Sequence, residues 1–231
     1  DTLKTYNALV TGQYYINNDN IELKLKLMEL RTGKIIQSTT IEYPVSQIPK
    51  GINFVPDNLD IVKSGFNVLG YKNEGDKDAK SNFKIKIWPD KGEGALYKTN
   101  DLLKINFKSN RDCYVYLFHM AADGEIKMIF PNDYSSDNFI RADNVYSIPD
   151  EQMNFDFQIG NPYGSEIVKA VASLQKIDGF ELNQLKGQVF KNMGKVTDNN
   201  VTTNFRGINT IPKEAKSEDF CVFTTIESVK K

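Results

Sequence analysis

Residues Asp112–Asn132, DCYVYLFHMAADGEIKMIFPN, decide the fold. Two apolar runs, Cys113–Met120 and Ile126–Phe130, flank Ala121-Ala122-Asp123-Gly124. An Asp-Gly pair between strand-like runs is a strong hairpin signal. In an extended chain Tyr114, Tyr116, Phe118 and Met120 point one way, while Cys113, Val115, Leu117 and His119 point the other. Both sets are mainly apolar. The sequence therefore places this strand in the middle of a sheet that is covered on both sides.

Working outward, strand-like alternation recurs along the C-terminal two thirds of the chain. Phe83, Ile85 and Ile87 alternate with lysines and Trp88; Leu103, Ile105 and Phe107 alternate with Lys104, Asn106 and Lys108. Asn144–Ile148 is a short candidate, and Met153, Phe155, Phe157 and Ile159 alternate with polar residues. Ser165–Ser173 and Phe220–Ile226 complete the set. About eight short strands with turn residues between them predict a mainly β fold, an antiparallel immunoglobulin-like β-sandwich over residues 83–231. Residues 174–216 form an insertion, in which Leu182, Leu185, Val189, Phe190 and Met193 can make one amphipathic helix.

Before the sandwich, Leu9–Ile16, Ile21–Met28 and Ile35–Tyr43 read as a three-stranded meander, with Ile21, Leu23, Leu25 and Leu27 alternating with polar residues. Pro56, Asp57 and Asp60 signal a helix start, and Leu59, Val62, Phe66 and Leu69 fall on one face. That face is expected to pack on the meander, giving a small α+β segment over 1–71. Residues 72–82, KNEGDKDAKSN, hold no core residue and read as a linker.

Bulk properties exclude some functions. Twenty-nine basic against thirty acidic residues give a net charge of -1, which speaks against a nucleic-acid partner. No apolar run reaches the roughly 20 residues of a membrane-spanning helix. Cys113 and Cys221 read either as two buried thiols or as one disulfide between neighbouring strands; their spacing excludes a CxxC motif.

Candidate chemistry is sparse. Asn132, Asp133, Asp137 and Asn138 offer side-chain oxygens in one loop, either as a calcium site or as turn caps. Glu166 lies at the mouth of a strand beside Gly164, with no visible catalytic partner, and reads as a tie to a neighbouring loop. His119, the one histidine, reads as packed in or beside the sheet. Ser165 is in no GxSxG elbow, and Gly92-Glu93-Gly94 lacks the Lys-Ser/Thr and helix of a phosphate loop. Trp88 and Tyr97, if exposed, could seed a protein or glycan contact. No nucleophile is paired with a base, so the chain reads as non-catalytic and without a cofactor.

Two resemblances extend this reading. Ala8–Gly12, Tyr14, Leu23, Leu25, Leu27, Thr32, Gly33 and Ile35 resemble the closing strands of the α/β domain in curli-secretion-channel (CsgG-like) and flagellar outer-membrane lipoproteins. The likeness covers about the first 45 residues and implies a chain that begins mid-domain. The second lies in the sandwich: Tyr97, Lys98, Asp101 and Leu103, then Asp112–Leu117, Asp123–Asn132, Asp137–Ile140, Ile148-Pro149 and Pro162–Ser173. That series looks like the family named domain of unknown function 4384, over 83–173 and more loosely over 174–231. The family occurs in bacterial envelope lipoproteins and beside kinase or caspase-like modules, with no established activity. Together the resemblances imply a periplasmic or outer-membrane location, a lipid anchor on an untrimmed N-terminus, and another envelope protein as partner for the sandwich. The alternative is a ligand-binding module that takes a glycan or divalent cation on the Asn132–Asn138 loop.

Overall fold

The computed structural model describes residues 8–17, 19–29, 35–48, 56–71, 82–92, 94–182 and 188–228. The chain divides into two units, Asp1–Phe54 and Val55–Lys231.

In the first unit β1 (Ala8–Asn17), β2 (Asn20–Glu29) and β3 (Ile35–Pro44) form an antiparallel sheet in chain order. The period-2 pattern of β2 puts its apolar residues on one face. Leu23 pairs with Tyr14 on one side and Ile41 on the other, and Ile21 pairs with Tyr43, so these groups share that face. Ile21 is buried, but Val10, Tyr14, Ile41 and Tyr43 are exposed. The turn expected at Arg31–Lys34 lies outside the described residues.

The second unit opens with α1 (Leu59–Val68), followed by β4 (Ile85–Pro89), β5 (Leu96–Lys98), β6 (Leu102–Leu103) and β7 (Ile105–Ser109). Next come β8 (Cys113–Met120), β9 (Glu125–Phe130), β10 (Phe139–Ile140), β11 (Val145–Ile148) and β12 (Phe157–Gln158). Last are β13 (Gly164–Ser173), β14 (Lys191–Lys195), the four-residue α2 (Arg206–Asn209) and β15 (Lys216–Ile226). The large sheet runs β14-β9-β8-β13-β15-β5, with β10 beside β8; β11-β7-β4 form a smaller sheet, and β12 pairs with β6. β5 runs parallel to β15, a departure from the all-antiparallel expectation. The unit is mainly β, two sheets packed about a core, as the alternation predicts.

The hairpin lies where the sequence puts it. Gly124 takes φ +87° in the Asp-Gly turn between β8 and β9, a conformation that glycine adopts without strain. β8 is central. One of its faces, with Cys113, Val115 and Leu117, joins Phe107, Ile105 and Ile87 of the small sheet in a first core. The other face, with Phe118 and Met120, joins Val62 and Leu69 from the helix region and Phe180 and Phe205 from residues 174–216 in a second. Burying such side chains contributes about 1.5–3 kcal/mol each.

The helix corrects one expectation. Val62 and Phe66 do form its apolar face, but α1 belongs to the second unit and lies against β13 and Met120 rather than on the meander. A Cβ on Gly65 would sit 2.2 Å from Met120 Sδ, which measures how closely helix and sheet approach. The helix start also differs from the Asp57–Asp60 box. Asn58 is the N-cap residue, and its amide reaches outward, donating to Ala122 O at 2.9 Å and Ser165 O at 2.8 Å and accepting from Ser165 N at 3.0 Å. Lys169, buried on β13, holds the other end by donating to Leu69 O, and pairs with Glu218 at 2.9 Å. Both helix ends are thus fastened to β13. The linker expected over 72–82 lies, Asn82 apart, outside the described residues.

Three further expectations change. Of the alternation Met153–Ile159 only Phe157–Gln158 pairs as a strand, because Asp150 collects the Gln152 and Met153 amides at 2.8 and 3.1 Å and turns the chain. The amphipathic helix expected through Met193 is replaced there by β14, which closes the free edge of β9; Leu185 lies outside the described residues. Cys113 and Cys221 are buried and not disulfide-bonded. Cys221 pairs with Val168, which pairs with His119, so it stands level with the far end of β8 from Cys113. Six residues of strand, about 20 Å, and the intervening β13 preclude a bond.

Candidate functional site

His119 and Glu166 end the apolar faces of two adjacent strands. Along β8, Cys113, Val115 and Leu117 point into the first core and His119 continues that face; along β13, Glu166 precedes Val168, Ala170 and Ala172 on the same side. In the antiparallel register His119 is opposite Val168, so Glu166 is its diagonal neighbour. The side chains meet, with His119 Nε2 2.6 Å from Glu166 Oε2. Glu166 is 7% exposed. Its second oxygen accepts from the Thr225 hydroxyl at 3.1 Å. Phe223, paired with Glu166 across β15, stacks on the imidazole at 6.2 Å between centroids and 9° between planes. The ring is thereby fixed on one face and at one nitrogen.

Beside this pair the core opens into a cavity of about 430 Å³. Its apolar wall includes Ile105, Ile129, Phe157 and Ile159; its polar groups are His119, Glu125, Lys127, Asp156 and Glu166 among others. Lys127 pairs with Glu125 at 3.0 Å. Gly164, at the start of β13, takes φ +150°, and a Cβ there would lie 2.8 Å from the Asn58 side chain. The start of β13 is thus tied to the helix N-terminus.

The pair has defined chemistry. An ionised carboxylate only accepts, so Nε2 of a neutral imidazole carries the hydrogen and Nδ1 carries the lone pair. Nδ1 has no hydrogen-bond partner among the described residues. Nearby hydroxyls do not complete a nucleophilic array: Thr225 is engaged by Glu166, and Ser165 meets Thr224 at 3.4 Å on the opposite face of β13. Cys221 stands two strands from His119, about 10 Å by strand spacing. The arrangement can bind and orient a hydrogen-bond donor.

The residues expected to form sites are dispersed. Asn132 is fully buried; its amide donates to Ile129 O and its oxygen accepts from Tyr134 N and Ser135 N, each at 2.9 Å. Asn138 is buried and donates to Val115 O at 3.0 Å. Asp133 is exposed, and Asp137, also exposed, caps the Phe139 amide at 3.0 Å. The loop thus spends its amides on backbone groups of its own turn and of the adjoining strands β8 and β9. Tyr97 is fully buried, where an exposed contact was expected; it packs edge-on to Phe223, and its hydroxyl donates to Asp90 at 2.7 Å. Burial and the Asp90 bond hold that phenol above its ordinary value. Trp88 is partly exposed on β4, an edge strand of the small sheet. Glu166, which in sequence has no partner, gains one 47 residues away. The available signal is a polar residue ending each of two otherwise apolar strand faces.

Residues 96–176 match the model of a family described as Domain of unknown function (DUF4384), which spans β5 to the end of β13 and contains both His119 and Glu166. The recognised motifs of the sandwich are therefore those of this family; the meander lies outside the match. No curated protein matches the chain.

Proposed function

We propose that the chain is a non-catalytic interaction protein of the bacterial cell envelope, periplasmic or held at the outer membrane by a lipid anchor, and that it works by contact with another envelope protein. One observation carries this reading: the first unit presents Val10, Tyr14, Ile41 and Tyr43 exposed on the face that its own leucines mark as the apolar one. An apolar face at solvent is the ordinary mark of a contact surface. The His119–Glu166 pair beside a cavity can hold a hydrogen-bonding ligand, which fits a binding role. No described helix is long and apolar enough to cross a membrane. Trp88, partly exposed on β4, is the contact this reading gives to the sandwich, since the outward amides of that strand, Ile85 N and Ile87 N, are already taken by Ser217 and Asp219. A calcium or glycan site on the Asn132–Asn138 loop has less support, since Asn132 and Asn138 would have to leave their backbone partners.

Photo-crosslinking in the native host tests the proposal. A crosslinking amino acid replaces Tyr14, Ile41, Trp88 or, on the opposite face of the meander, Lys26. Discrete adducts with an envelope protein are expected at Tyr14 and Ile41 and not at Lys26. Equal adducts at all four positions, or none at any, would overturn it.

A further inference from the structure

We infer that the cavity beside His119 is a binding site for an organic ammonium group attached to an apolar body, such as a small amine. The inference does not depend on the interaction reading, because it concerns a different surface of the molecule. Three features converge on it.

The first is the cavity itself. At about 430 Å³ it has the size of small-ligand pockets, and its apolar wall of Ile105, Ile129, Phe157 and Ile159 would accept a hydrocarbon body. The second is the tautomer set by Glu166. In the neutral imidazole, with Nε2 donating to the carboxylate, Nδ1 of His119 carries the lone pair and accepts. Phe223 and Thr225 lock this arrangement, so little ordering is needed when a donor arrives. The third is charge. Of the cavity's carboxylates, Glu125 is engaged by Lys127 and Glu166 by His119, while Asp156 is exposed and has no ion-pair or hydrogen-bond partner among the described residues. The lining of the cavity therefore holds an imidazole whose second nitrogen is unengaged and one free carboxylate, beside an apolar wall. An ammonium meets both by charge-assisted bonds. A carboxylate or phosphate would meet neither, and the cation of the lining, Lys127, is already paired with Glu125.

Benzylamine is a suitable probe, with benzyl alcohol and benzoate as neutral and anionic matches. Spectra of the full chain labelled at isoleucine δ1 methyls report the site directly. Millimolar benzylamine is expected to shift Ile105, Ile129 and Ile159 saturably and to leave Ile85 and Ile148 in place. Benzyl alcohol should bind at least about tenfold more weakly, the equivalent of about 1.4 kcal/mol. Asp156→Asn, an exposed change, should weaken benzylamine several-fold with the methyl spectrum otherwise intact, and His119→Phe should do the same while filling the ring's place. If no pocket methyl moves, if benzoate moves them as strongly as benzylamine, or if a folded Asp156→Asn chain binds benzylamine unchanged, the inference fails.

Discussion

β2 and β8 are both strands with an apolar face and antiparallel neighbours on either side, yet they end in opposite environments. β8 is covered on both sides, and Leu117 and Phe118, adjacent in sequence and pointing apart, are both fully buried. β2 keeps Leu23, Leu25 and Leu27 only partly covered, with Lys24 and Lys26 exposed between them. The difference lies in what the rest of the chain supplies. The second unit brings a small sheet to one face of β8 and α1 with residues 174–216 to the other. The first unit contributes three strands whose neighbours on the apolar face are themselves exposed. A strand pattern states which face seeks cover; it does not supply the cover.

The largest test of that contrast is truncation of one side chain in each sheet. Phe118→Ala should cost about 3–5 kcal/mol in denaturant unfolding, whereas Ile41→Ala should stay within about 0.5 kcal/mol, as exposed changes do. Equal costs would break the comparison. Lys169→Met should follow at about 3 kcal/mol, because it leaves Glu218 short of a buried partner and frees the carbonyl that ends α1. Hydrogen exchange should then quicken in α1 before it quickens in β8; uniform protection would mean the lysine does not fasten the helix. Asn58→Ala removes three hydrogen bonds at the other helix end and should cost about 1–3 kcal/mol, with the same local signature.

The smallest effect is pH-dependent. Burial alone would raise the Glu218 carboxyl, but Lys169 and Lys216 outweigh it and hold it below its ordinary value. A depressed folded-state value stabilises the fold fully above the unfolded carboxylate's value of about 4.3. That stabilisation is lost as pH falls through the lower folded value. Glu218→Gln should therefore be less stable than the parent near neutrality, and the gap should close below about pH 4. A gap that is constant from pH 7 to 3, measured by thermal unfolding, would show that the charge does not matter there.

Much of this could be read from residues alone. The Asp123-Gly124 turn, the two-faced strand before it and the amphipathic strand at Ile21–Leu27 follow from local chemistry and period. The site could not. His119 and Glu166 meet through a strand register that neither neighbourhood encodes, and Asn58, next to the Asp57 start signal, bonds across the fold to residues 64 and 107 positions away.

The sequence by itself settled which segments extend, where the main hairpin turns and which faces are apolar, because those depend on contacts between near neighbours. Tertiary structure decided that α1 joins the sandwich and not the meander, that Met193 belongs to an edge strand and not a helix, and that Tyr97 is buried while Tyr14 is exposed. Each of those outcomes is a competition between distant surfaces for the same cover. The free edge of β9 and the open face of β13 were there to be filled, and pattern alone cannot say which segment fills them.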